Sequence, residues 1–342
     1  MALLQTLLLS LHLLCMNVAA GAPLVCIWLE WRQRSKDAGA VPARQAADYL
    51  AGGAILAMLG GIGAGLCMGW LLWTSSYAEL WTSRLGYKLF WGVLELAFSL
   101  VLQVGYWLWR RYGSGTGPAA AITKSVLLLL NATNLLYHFP PLFLIAGRVA
   151  ASGTSGGEEL RGRAFRQEML LEEVPSLTVH FTLASLAVTG ILLLGLALRL
   201  RRQGGSEEQV LPLAVWGGRW ALLPSLLQLP VGLWVLASVS RTMQGRLMGQ
   251  DALATCCFLG GLVAALWLMR ELVPIALGEM QRGQLLRAMV GMVIVVILMT
   301  AAHQAAKQNI SPPSGVATRP GLFQPSLFPR VSRHVPREHY PA

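Results

Sequence analysis

Four ionisable side chains interrupt otherwise apolar stretches: His12, Glu95, His138 and His180. An ionisable group at the centre of a membrane helix costs roughly 2.5–3.5 kcal/mol, so each is a site candidate by default. A neutral imidazole binds haem iron or a metal ion, a thioether can supply an opposing axial ligand, and a carboxylate can relay a proton. Two Arg-x-Met sequences offer that thioether, Arg246-Leu247-Met248 and Arg287-Ala288-Met289. The plain alternative for any one histidine is a hydrogen bond between helices, and for either methionine it is ordinary packing. The sequence contains no HExxH, GxSxG, Walker or GxGxxG motif and no Cys/His spacing of the zinc type, so soluble enzyme chemistry has no support. The cysteines (Cys15, Cys26, Cys67, Cys256, Cys257) lie within or at the ends of apolar runs and read as buried small hydrophobes.

The elements that must position these residues follow from composition. Of 342 residues, 55% are hydrophobic and 13% charged, and the mean hydropathy is +0.55. Soluble domains do not have this profile. The net charge of +11 does not describe a nucleic-acid partner, because Lys and Arg gather at the ends of apolar runs instead of on one face. Runs long enough to cross the hydrocarbon layer recur at about 3–30, 48–74, 85–109, 121–147, 174–199, 212–239, 247–270 and 284–303. The expected fold is an all-α integral membrane protein, a bundle of about eight transmembrane helices. The first run has no basic segment before it and continues past Leu24 to Leu29, so it reads as a spanning helix and not as a signal peptide.

Basic residues set an expected orientation. WRQRSK follows the first span, WRRYG the third, RLRRQ the fifth, and RELVPIALGEMQRGQLLR lies between the seventh and eighth, which puts these loops inside and both termini outside. The loop at 148–173 mixes Arg148, Arg161, Arg163 and Arg166 with Glu158, Glu159, Glu168, Glu172 and Glu173. Trp28, Trp31, Trp70, Trp73, Trp107 and Trp109 fall near span ends and read as interfacial anchors. Residues 1–305 form the expected bundle, and 306–342, rich in Pro, Ser, Arg and His, an outer tail that is disordered or loosely packed. Helical rise puts His12 and Glu95 roughly 13–15 Å from the outer ends of their spans. His180 lies near an outer end as well. Met248 shares that side, so it is the expected partner of His180, and Met289 belongs to the other side.

Four stretches together resemble subunit I of the cytochrome bd quinol oxidases, as a divergent, shortened member. The clearest is EMLLEEVPSLTVHFTLASLAVTGILLLGLALRLRR, in which His180 matches the ligand of the low-spin b-type haem. LLQTLLLSLHLLCMNVAAGAPLVCIWLEW is similar to the first helix, with His12 at the high-spin haem position. WGVLELAFSLVLQVGYWLW is similar to the third helix, with Glu95 at the first of two glutamates and Gln103 at the second. Arg246 and Met248 match an Arg-x-Met at the start of the seventh helix. The long outer loop after the sixth span is reduced here to SVSRTMQGR, and the GRQP-type segment and a later glutamate-bearing helix are not recognisable.

The resemblance implies haem b, one or more, with haem d as a further candidate. Its ligands would be His12, His180 and Met248, with Arg246 as propionate partner, Glu95 as the catalytic carboxylate and His138 assisting or replacing a ligand. It implies electron transfer within a respiratory complex of the cell inner membrane, a second membrane subunit, and a quinol or cytochrome donor. Reduction of oxygen, as in a terminal oxidase, is part of that expectation. From the residues alone, a proton- or metal-transporting bundle built on His12, Glu95 and His138 stays open. A haem-free accessory subunit stays open as well.

Overall fold

The computed structural model describes residues 2–35, 39–113, 117–151, 158–171, 173–281 and 283–307. Lys36, Glu172 and the tail from 308 onward lie outside the described residues. Eight long helices carry the chain: α1 (Ala2–Arg32), α2 (Ala40–Leu71), α3 (Gly86–Tyr112), α4 (Pro118–Ala151), α5 (Val174–Arg202), α6 (Glu207–Ser238), α7 (Ala252–Leu277) and α8 (Gln284–Lys307). Each is long and apolar enough to cross a membrane, and the protein is a multi-pass helical membrane protein. Helices are the outcome because hydrocarbon offers backbone N–H and C=O groups no partner, and a helix satisfies them internally.

The boundaries differ from expectation mainly at the second and seventh helices, and the sixth begins at Glu207 instead of 212. The second helix begins at Ala40, because the polar AVPARQAADYL continues the helical register ahead of the apolar run. The seventh begins at Ala252, where Asp251 caps it by accepting from the Ala254 N–H at 2.9 Å. Residues Arg246–Gln250 form a separate π-type turn, broken by Gly249 at φ +125°, a conformation that favours glycine.

Small residues let the helices approach closely, as membrane packing requires. At the α5–α6 crossing a Cβ on Gly190 would fall 2.4 Å from the Ala221 nitrogen. At α1–α5 a Cβ on Gly21 would fall 2.2 Å from the Ser185 carbonyl oxygen, and at α6–α7 one on Gly218 would lie 2.9 Å from the Ala276 nitrogen. Leu29, Leu50, Leu193, Leu213 and Leu272 fill the core that these crossings enclose. Trp28 belongs to that packing, edge-on to Trp216 at 5.2 Å, whereas Trp70 and Trp73 are exposed as anchors would be. Of the cysteines Cys26 is buried, but Cys67 and Cys256 are exposed, which corrects their reading as buried hydrophobes. In a membrane bundle an exposed apolar thiol needs no core to hold it, because lipid solvates it.

Candidate functional site

His12 stands on α1 against the glycine-rich stretch of α2. Its Nδ1 lies 2.8 Å from the Gly61 carbonyl oxygen. A carbonyl only accepts, so Nδ1 carries the proton and Nε2 keeps its lone pair, the arrangement that presents an imidazole to a metal. The space is made by glycine: a Cβ on Gly65 would come within 3.1 Å of the His12 ring.

Glu95 and His138 are brought together across α3 and α4, with Oε1 and Nδ1 3.4 Å apart and the side chains 27% and 43% exposed. Asn134, one turn before His138, donates to the Glu95 carbonyl at 2.7 Å and to Ser99 Oγ at 2.8 Å, fixing the register of the pair. Lys88, Trp91, Leu142 and Phe165 join Glu95 and His138 around a small cavity of about 20 Å³, and Lys88 Nζ stands 4.2 Å over the Phe165 ring.

His180 lies two turns into α5. Its Nδ1 is buried and has no hydrogen-bond partner among the described residues. Its neighbour Phe181 packs on a buried cluster formed by Ala19 and Ala20 of α1, Met58 of α2 and Leu135 and Phe139 of α4. Glu95 and His138 adjoin members of the same packing, Leu96 and Phe139. Sequence neighbours of His180, Glu95 and His138 share that cluster, but among the described residues no hydrogen bond or ion pair joins His12 or His180 to the Glu95–His138 pair, and His12 bonds to Gly61.

Arg246 and Met248 share the end of the bundle at which α5 begins. Arg246 donates through Nη1 to the Ala306 carbonyl at 3.2 Å, near the end of α8. Met248, on the π-type turn, faces outward and is 70% exposed. Met289 packs instead at the far end of α5, where its methyl would lie 3.4 Å from a Cβ on Gly195. Fifteen residues separate Gly195 from His180, roughly 22 Å of helix. Met289 therefore belongs to the other side, as its span predicted.

Gln103 has a structural task. Pro23 inside α1 has no N–H, which leaves the Ala19 carbonyl without its helical donor. Gln103 Nε2 supplies it at 3.0 Å. A carboxylate at this position could not donate while ionised. Gln103 continues a polar seam along α3 and α4 that also holds Ser99, Tyr106, Lys124, Asn131 and Asn134.

At the opposite end that seam closes on Glu30, 1% exposed. Its carboxylate accepts from Tyr106 Oη at 2.8 Å and from Arg110, with Lys124 Nζ at 3.6 Å. Arg110 also pairs with Asp48 at 2.6 Å. These four helices are locked together by charge. Residue pattern alone hid Glu30, Lys124 and His303, because each falls at a span end, where a charged or polar side chain is ordinary.

Neutral imidazoles with a free ring nitrogen are suitable axial donors for haem iron, so the donor chemistry of His12 and His180 fits such a group. Among the described residues no three His, Cys, Asp or Glu side chains gather as a set for a bare metal ion. No protein-family model matches the chain, and no curated protein matches it in sequence.

Proposed function

We propose that the protein is a cytochrome bd-like haem-binding membrane subunit that carries electrons within a respiratory complex. The observation that carries this reading is the imidazole of His180, within a spanning helix, whose buried Nδ1 has no hydrogen-bond partner among the described residues. Leaving a polar atom so costs free energy, and a ligand that takes it offsets the cost. His12, held by Gly61 with Nε2 free, supplies a second donor. A b-type haem, with haem d as the second candidate type, supplies one-electron redox chemistry when bound. His180 and His12 would hold the iron, and Arg246, at the end of the bundle where α5 begins, would pair with a propionate. Glu95 and His138 form an acid–base pair that exchanges a proton between them beside the His12 region. The resemblance extends the reading to the inner membrane, to a second membrane subunit, to a quinol or cytochrome donor and to a terminal oxidase.

The test uses the full chain purified in detergent. Reduced-minus-oxidised spectra should show the Soret and α bands of haem in the wild type, with one set lost in His180→Ala. A folded protein without these bands excludes the reading. The joined Glu95–His138 pair and the polar seam behind it favour a second reading, a proton-transporting bundle. Proton uptake by haem-free protein in liposomes, abolished in Glu95→Gln, would select it.

A further inference from the structure

We propose that water binds in the cleft between Lys88 and the Glu95–His138 pair and delivers protons to that pair from the end of the bundle at which α3 begins; this rests on the acid–base reading of the pair above. Glu95 Oε1 and His138 Nδ1 stand 3.4 Å apart, at the outer limit of a direct hydrogen bond, and both side chains keep part of their surface open. The cavity beside them, about 20 Å³, has room for a water molecule, which needs about 10–15 Å³ and roughly two to four polar partners. Those partners line it: the Glu95 carboxylate, the His138 imidazole and Lys88.

Lys88 marks the way in. It precedes Glu95 by seven residues, about 20° around the helix and roughly 10 Å along it, toward the start of α3. One face of two helical turns therefore carries the ammonium at the rim and the carboxylate within. Lys88 Nζ rests 4.2 Å over the ring of Phe165, and among the described residues it makes no ion pair or hydrogen bond. An aromatic face serves one side of an ammonium, and its N–H donors still need an acceptor, which water supplies. Phe165 is itself fixed, buried among Leu80, Trp81, Leu85 and Leu142. With Leu142 it walls the cavity, so the passage admits water and excludes larger polar solutes.

The opposite direction is less open to water. Behind the pair Asn134 and Ser99 are joined, but farther along the seam both amide atoms of Asn131 and the Oε1 of Gln103 have no hydrogen-bond partner among the described residues. The cavity at Gln103 and Tyr106 is about 10 Å³ and is walled mainly by apolar side chains such as Leu50, Ala54 and Leu128. It lies at the lower limit for one water and offers few partners to hold it. In each transfer a water in the Lys88 cleft gives a proton to the Glu95 carboxylate or to His138 and takes one from the water behind it. Lys88 holds that water and does not itself titrate.

The experiment follows hydrogen–deuterium exchange of the Glu95 carboxyl by infrared difference spectroscopy on the full-length protein in lipid nanodiscs. The protonated carboxyl band is assigned by its loss in Glu95→Gln. On transfer to D2O the band should shift quickly in wild type, Lys88→Arg and Asn131→Leu, and about tenfold more slowly in Lys88→Met, which keeps the stem and loses the charged donor. Recovery in Lys88→Arg separates the cation from the packing of the stem. Slowing in Asn131→Leu overturns the proposal by placing entry at the Glu30 end, and so does unchanged exchange in Lys88→Met. A wild type without a band that Glu95→Gln removes overturns the acid–base reading itself. The readout does not use haem, so it stands apart from the spectral test above.

Discussion

The two ends of the polar seam treat buried ionisable groups in opposite ways. Around Glu30 every charge is answered: Arg110, Lys124 and Tyr106 converge on one carboxylate, and Asp48 takes the remaining reach of Arg110. At the other end the groups are left with capacity to spare. Among the described residues His180 keeps a buried nitrogen without a hydrogen-bond partner, His12 uses one nitrogen only, and Glu95 and His138 meet each other while remaining partly exposed. A satisfied network holds helices in place, and it has nothing left to bind with. An incomplete one costs stability and is retained where a ligand completes it.

Removing the key of the satisfied network should break the fold. Glu30→Ala leaves Lys124 inside the bundle without its anion and Arg110 with only Asp48, at an expected cost of about 3–5 kcal/mol. Thermal unfolding in detergent measures it, and a near-neutral result would mean that the network is solvated. Crossing glycines come next. Gly190→Ala drives a methyl into the Ala221 backbone, which α5 and α6 can relieve only by moving apart, for about 1–3 kcal/mol. Gln103→Ala removes the donor that serves the carbonyl freed by Pro23 and should cost about 1–3 kcal/mol by the same assay. Gln103→Glu should recover little, because an ionised carboxylate does not donate. At the incomplete end stability should barely respond. His180→Ala removes a side chain whose buried Nδ1 has no hydrogen-bond partner among the described residues, so the haem-free chain should unfold within about 1 kcal/mol of wild type. Gly65→Ala, which presses on the His12 ring, should have the smallest effect on unfolding and, where His12 holds haem as proposed, should shift only the haem spectrum.

Much of the architecture was legible because lipid imposes length and apolarity on each span, and five of the eight helices begin and end close to the expected residues. The errors have local causes. Hydropathy ignores the polar first turns of α2, and it runs through the Gly249 break, placing Arg246 and Met248 on a helix they precede. Glu95 and His138 could be singled out by type, but their pairing depends on the α3–α4 register that Asn134 and Ser99 set, and two lone residues do not reveal a register. Glu30 was invisible for the opposite reason. A glutamate near the end of a span looks solvated until the neighbouring helices bring two cations and a phenol to it.

We propose that the incomplete end serves to hold haem. The most direct measurement is haem bound per chain in the purified full-length protein, with and without His180. Haem is expected in the wild type, with the His180-dependent share lost in His180→Ala while that variant stays folded with its Glu30 network intact. A folded wild-type chain that binds no haem when haem is supplied during expression contradicts it.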